Sequence, residues 1–167
     1  MSKAIFFDRD GVINSDSGHY YISDPLDFKL NPGVPELLAW LQSQGFLLII
    51  ISNQGGVSRG IYSKDDVDKV HIRMARLLNK RGISFDEIYY CPHHPENEKC
   101  ICRKPDTVLI EKAISRFSIN VKDSYFIGDS ETDIEAGHKA GLKTIRVNNN
   151  QDMSLIIELI KNDLGIS

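Results

Sequence analysis

Asp8 and Asp10 hold the most chemistry in this chain, because Asp8-Arg9-Asp10-Gly11-Val12 follows directly on Ala4-Ile5-Phe6-Phe7, an apolar run that reads as a buried strand. Two carboxylates at a strand's exit can address one small volume if the backbone stays extended, and Gly11 permits a sharp turn beneath them. One of them can attack phosphorus while the other carries a proton. Asp129, in Gly128-Asp129-Ser130-Glu131-Thr132-Asp133, can share a hard divalent cation with Asp8, and magnesium is the natural choice. Ser52, the amides near Asn53 and the Lys104 ammonium can hold the equatorial oxygens of a phosphoryl group. In this scheme Asp8 becomes an aspartyl-phosphate. Asp10 starts protonated, gives its proton to the leaving oxygen and later takes one from water.

A second cluster suits a different metal. Cys91-x-His93 and Cys100-x-Cys102 offer three thiolates and an imidazole in two close pairs, the makeup of a closed tetrahedral zinc site. Three cysteines are poor material for a disulfide framework. His94 is also within reach, so the residues alone leave His93 and His94 as alternatives. Zinc here would brace a polar loop and with it Arg103 and Lys104, which follow Cys102 directly.

These groups need a scaffold that brings them to one place. Apolar runs alternate with amphipathic segments along the chain, the pattern of a mostly parallel sheet flanked by helices, a Rossmann-like α/β domain. Val34 to Gln44 reads as a helix closed by Gly45, and Phe46 to Ile51 as a central strand ending at Ser52-Asn53-Gln54-Gly55-Gly56. Ser63 is the expected N-cap of a helix to Arg81, with Val70, Met74, Leu77 and Leu78 inward. Strands follow at Glu87 to Tyr90, Ser124 to Ile127 and Lys143 to Val147. Helices are expected from Asp106 to Phe117, from the Asp129 segment to Gly141, and from Asp152 onward. Asp8, Ser52 and Asp129 then each lie just past the C-terminal end of a strand, where parallel sheets bind ligands, and Lys104 can reach them from a loop.

Length and charge narrow the class. The 167 residues suit a single domain spanning 1–167, and a net charge of −3 without a basic stripe argues against a nucleic-acid partner. No basic and apolar leader precedes the first strand, and no apolar stretch approaches the ~20 residues of a membrane span. The expectation is a cytoplasmic monomer with no membrane partner, acting on a small phosphorylated metabolite.

Asp8-Arg9-Asp10-Gly11-Val12, Ser52-Asn53, Lys104 and Gly128-Asp129-x-x-x-Asp133 together resemble the four motifs of the haloacid dehalogenase-like phosphatases, over nearly the whole chain. Within that superfamily, Cys91-Pro92-His93-His94 and Cys100-Ile101-Cys102-Arg103-Lys104-Pro105 are similar to the D-glycero-D-manno-heptose 1,7-bisphosphate phosphatases and the related histidinol-phosphatases. The resemblance implies Asp8 as nucleophile, Asp10 as acid/base, and magnesium held by Asp8, Asp129 and the carbonyl of Asp10. It implies zinc on Cys91, His93, Cys100 and Cys102. Ser52, Arg103 and Lys104 would steady the phosphoryl group. Asp16, Ser17, Gly18, His19, Asn53, Gln54, Gly55, Arg59 and Ser130 would complete the substrate site.

The chain has no room for a cap domain, so Ser15 to Lys29, Gly55 to Tyr62 and the zinc loop should wall an open, shallow pocket. Arg59 and Arg103 exceed the needs of one phosphate, which suits a second phosphate or sugar hydroxyls better than the amine of histidinol phosphate. Tyr21 to Phe28, Pro32-Gly33-Val34-Pro35 and Ser58 to Tyr62 look like the heptose enzymes. Two positions depart from them: Asp106-Thr107-Val108 replaces a Pro-Gly step, and Ser130 stands where a basic residue is usual. A histidinol-phosphatase or another small-metabolite phosphatase is the alternative. A phosphotransferase would share the first step, and a non-catalytic zinc-braced binding module could spare Asp10. A receiver domain would place its accepting aspartate after the third strand, whereas Asp8 follows the first.

Overall fold

The computed structural model describes residues 1–166. Five strands form one sheet in the order β3-β2-β1-β4-β5: β1 Lys3–Phe7, β2 Phe46–Asn53, β3 Glu87–Cys91, β4 Tyr125–Gly128 and β5 Lys143–Arg146. Every neighbouring pair is parallel. The chain winds outward from β1 through β2 to β3, then returns to build β4 and β5 on the other side. This reversal opens a crevice between β1 and β4 at their C-terminal ends, the usual ligand position in such sheets.

The helices divide between the two faces because alternate strand residues point to opposite sides. Ile5, Phe7, Leu48, Ile50 and Ile127 meet α1 (Val34–Ser43), α2 (Lys64–Asn79) and α5 (Leu155–Leu164). Ala4, Phe6, Ile49, Ile51 and Phe126 meet α3 (Val108–Phe117) and α4 (Glu131–Lys139). Since β1 and β2 are covered on both sides, their sequences read as unbroken apolar runs.

Element ends follow local chemistry. Ser63 caps α2 reciprocally with Asp66, and Val67, Val70, Met74 and Leu78 are buried, with Leu77 packed at the core's margin. Asp106 does not cap α3. Its amide donates to the Arg103 carbonyl at 2.8 Å, closing a turn that delays the helix to Val108. Asp152 likewise stands ahead of α5, its Oδ1 accepting from the Ser154 amide at 2.9 Å and hydroxyl at 2.8 Å.

Candidate active site

Lys104 ties the ends of three elements together. Its Nζ donates to Asp8 Oδ1 at 2.9 Å and to the Ile51 carbonyl at 2.7 Å, and lies 2.7 Å from Asp133 Oδ1. These partners come from beyond β1, from β2 and from α4. Burial alone would lower the Lys104 pKa, but the two carboxylates beside it carry it up to about 12, so the ammonium stays charged. Its backbone is fixed as well. Asn53 Oδ1 accepts from the Lys104 amide at 3.0 Å, and Asn53 Nδ2 donates to the Lys104 carbonyl at 3.2 Å. The Asn53 side chain is thus spent on holding Lys104 in place.

Asp8, Asp129 and Asp133 each offer a carboxylate oxygen within 4.8 Å of the others. Burial pushes Asp8 up, Lys104 pulls it down, and Asp133 and Asp129 push it up again, leaving it at about 8. Burial and then Asp133 raise Asp129 to about 6. Asp133 goes the other way: burial would raise it, but Lys104 and the hydrogen bonds at Ser130 hold it below the usual carboxylate range. One ammonium faces three carboxylates. Asp133 Oδ1 is buried without a well-aligned hydrogen bond among the described residues, its link to Lys104 being an ion pair rather than a directed bond. An all-oxygen set with surplus negative charge fits a hard divalent cation.

Two glycines make this closeness possible. Gly11 has φ 82°, and a Cβ there would lie 1.9 Å from Asn149 Oδ1 and 2.4 Å from Asp129 Oδ2. A Cβ on Gly128 would lie 2.3 Å from the Asp133 Cβ.

Asp10 does not join the acidic cluster. The Asp8 amide still pairs with the Ile127 carbonyl at 3.1 Å, but from Arg9 the chain turns, with the Val12, Ile13 and Asn14 amides all donating to the Arg9 carbonyl, so the extended geometry expected over Asp8 to Asp10 ends at Arg9. The Asp10 carboxylate instead accepts from Arg9, from Asn14 Nδ2 at 2.9 Å and from Gln54 Nε2 at 2.9 Å. All are donors. Gln54 is buried and also donates to Ser52 Oγ at 2.8 Å, while its own Oε1 accepts from Tyr62 Oη at 2.7 Å.

A second group that could hold a metal is assembled from the end of β3 and the loop after it. Cys91 Sγ lies 2.9 Å from Cys102 Sγ and 3.7 Å from Cys100 Sγ, while His93 Nδ1 is 3.2 Å from Cys102 Sγ and 3.4 Å from Cys91 Sγ. His93, not His94, faces the sulfurs; His94 Nδ1 accepts from the Glu96 amide at 3.3 Å. Burial pushes the Cys91 thiol up, so a bound cation is what would turn it into a thiolate. The soft donor set fits zinc.

The expected substrate contacts are spread more widely. Asp16 Oδ1 accepts from Asn149 Nδ2 at 3.0 Å and Asn150 Nδ2 at 2.9 Å, which ties its loop to the segment after β5. Ser17 and His19 line a separate hollow of about 260 Å³, and Gly18 is exposed beside them. Arg59 donates to Tyr21 Oη at 3.2 Å on the surface. Arg103 Nη1 donates to the His93 carbonyl at 3.1 Å, and Gly55 lies directly beneath both. Ser130 caps α4, its Oγ accepting from the Asp133 amide at 3.3 Å. A larger cavity, about 580 Å³, opens beside Lys104 and is walled by Glu98, Lys99, Arg103, Asp106 and Thr132.

Sequence reasoning gave no role to Asp133, Arg9, His71 or Asn149. For Asp133 a signal existed, since Ser130-x-x-Asp133 is a capping pattern that fixes the aspartate beside Asp129. An arginine between two acids carries no such signal.

Comparisons with known proteins agree with this fold. A family model described as HAD-hydrolase-like matches residues 101–158. The chain is 39% identical over 148 residues to a D-glycero-beta-D-manno-heptose-1,7-bisphosphate 7-phosphatase of Haemophilus ducreyi, covering 85% of this chain and 80% of the relative. It is 42% identical over 143 residues to the Helicobacter pylori protein of the same name, covering 85% and 81%. Among solved structures, a D,D-heptose 1,7-bisphosphate phosphatase from B. bronchiseptica, complexed with magnesium and phosphate, superposes with TM-score 0.83 at 29% identity, covering 93% of this chain and 86% of that one.

Proposed function

The chain belongs to the haloacid dehalogenase-like phosphatases, and from that premise we propose that it removes the 7-phosphate of a D-glycero-D-manno-heptose 1,7-bisphosphate through an aspartyl-phosphate on Asp8. The observation that carries this reading is the convergence of Asp8, Lys104, Asp129 and Asp133 at the crevice between β1 and β4.

Asp8, Asp129 and the Asp10 carbonyl would hold magnesium. When bound, the ion neutralises phosphate charge and offsets the repulsion among the carboxylates. Asp8 attacks phosphorus in line with the leaving oxygen. Asp10 sits in the turn immediately after Asp8 and serves as proton carrier, giving a proton to the departing sugar oxygen and taking one from the water that clears Asp8. Lys104 holds the nucleophile at rest through its 2.9 Å contact and stabilises an equatorial oxygen as charge shifts there. Ser52 Oγ accepts from Gln54, which leaves its own hydrogen for a phosphoryl oxygen.

Zinc on Cys91, His93, Cys100 and Cys102 would brace the loop that presents Arg103 and Lys104. The 580 Å³ cavity beside Lys104 offers room for the rest of a sugar phosphate, with Lys99 and Arg103 as cations for a second anionic group. No helix among the described residues is long and apolar enough to cross a membrane. The reading further takes the chain as a cytoplasmic monomer.

Phosphate release from heptose 1,7-bisphosphate and from histidinol phosphate, measured side by side, tests the substrate. A preference of about a hundredfold for the heptose is expected, the scale of leaving one buried polar group of the site unpaired. The reverse preference would overturn it.

A further inference from the structure

Arg9 is wholly buried, although arginine is among the residues least often withdrawn from water. Its partners explain how this is tolerated. Nε donates to Asp10 Oδ1 at 3.0 Å, and Nη2 donates to Asp10 Oδ1 at 2.9 Å, to Oδ2 at 3.0 Å and to the Ile22 carbonyl at 3.0 Å. Nη1 lies 3.2 Å from His71 Nε2.

The last contact fixes the state of the histidine. A guanidinium only donates, so His71 Nε2 accepts, the ring is neutral and its hydrogen sits on Nδ1. Burial, and then the charge of Arg9, push the His71 pKa down to about 3, in keeping with that state. His71 belongs to α2, outside the acidic cluster, and its ring meets Tyr90 edge-on at 5.8 Å. Through His71, α2 thereby anchors the arginine that grips Asp10.

We infer that Arg9 and His71 form a buried bracket that aims the Asp10 carboxylate for its two proton transfers. The inference rests on the phosphatase reading above. In the first step the Asp8 oxygen–phosphorus bond forms as the bond to the sugar oxygen breaks, and the proton passes from Asp10 to that oxygen. In the second, water bonds to phosphorus as the Asp8 bond breaks, and a water proton returns to Asp10. Arg9 exchanges no proton in either step; both residues are positioning residues. Arg9→Lys keeps the charge and loses the planar fork. His71→Leu removes the acceptor behind Arg9, whereas His71→Gln replaces it.

The choice of ester separates positioning from mere structural support. kcat/KM spans the steps through departure of the leaving group. A sugar alkoxide needs the Asp10 proton to leave; the phenolate of p-nitrophenyl phosphate does not. Arg9→Lys and His71→Leu should each lower kcat/KM about a hundredfold on the sugar phosphate, the scale of general acid catalysis. On p-nitrophenyl phosphate the loss should stay within about threefold, and His71→Gln should lose less than His71→Leu on the sugar ester. His71 is only partly buried, unlike Arg9, so its pair of variants keeps the test alive if Arg9→Lys fails to fold. Equal losses on both esters would overturn the bracket. Absence of wild-type turnover on either ester would overturn the phosphatase reading and the bracket with it, and turnover lost in Asp8→Asn marks that reading as intact.

Discussion

Lys104 and Asp133 form a buried ion pair, with 2.7 Å between Nζ and Oδ1 and side-chain exposures of 2% and 1%. The same lysine reaches Asp8, so Asp133 holds from behind the cation that Asp8 faces.

Asp133→Asn should therefore destabilise the protein by about 3 kcal/mol, the scale for removing one partner from a buried pair. It should also lower phosphate release at least tenfold, because Lys104 loses its anchor. Ser130→Ala removes only the cap and should cost about 1 kcal/mol. Denaturant titration of both variants beside the wild type checks the difference.

Asn53→Ala tests whether that side chain braces the loop. Its two bonds to the Lys104 backbone predict a stability loss of about 2 kcal/mol and a fall in kcat, since a freed amide and carbonyl are left unpaired. A rise in KM alone, with unchanged melting temperature, would instead mark Asn53 as a substrate contact.

Asp8→Asn should abolish phosphate release, by about a thousandfold or more. The metal-free variant should melt higher than the wild type at pH 7, because an amide, which takes up no proton on folding, replaces an acid that burial holds mostly protonated at that pH. A lower melting temperature would show that the Asp8 charge supports the fold.

Magnesium should stabilise the protein more at pH 8 than at pH 5. Asp8 and Asp129, raised to about 8 and about 6, bind more protons when folded than when unfolded. For these groups stability is full below the unfolded value near 3.8 and is lost as pH rises through the folded values. A cation displaces those protons and restores what the rise removes. Melting curves with and without magnesium across this range give the comparison, and equal shifts at both pH values would refute it.

Stripping zinc while magnesium is retained should lower melting temperature and activity together, because the braced loop runs directly into Arg103 and Lys104. Full activity in zinc-free, magnesium-loaded protein would separate the loop from the chemistry.

The order of elements was legible in the sequence, since β1 and β2 are buried on both faces and had to be apolar throughout. That Asp8, Asp129 and Lys104 could meet was legible for a related reason: the two aspartates follow strand ends, where a parallel sheet exposes its crevice, and Lys104 lies in the loop between β3 and α3. The cysteine spacing marked a group that could hold a metal, because residues in close pairs need little help from the fold to meet. The choice of His93 over His94 needed ring orientation, which spacing alone does not give.

Tertiary structure alone decided how charges and hydrogen bonds were shared. Period-two reasoning placed Asp10 beside Asp8, but the chain turns at Arg9 and the carboxylate goes to three donors, one of them brought from beyond β2. Asn53 and Gln54 read as residues facing a ligand, and the fold adds partners that spacing does not name, Lys104 for one and Ser52, Asp10 and Tyr62 for the other. Arg9 and His71 meet across 62 positions of sequence. Hydrophobic pattern and motif spacing record local constraints, and those determine which elements form and which strand ends carry chemistry. The partner of a buried polar atom depends on every element packed around it, so it exists as information only once the chain has folded.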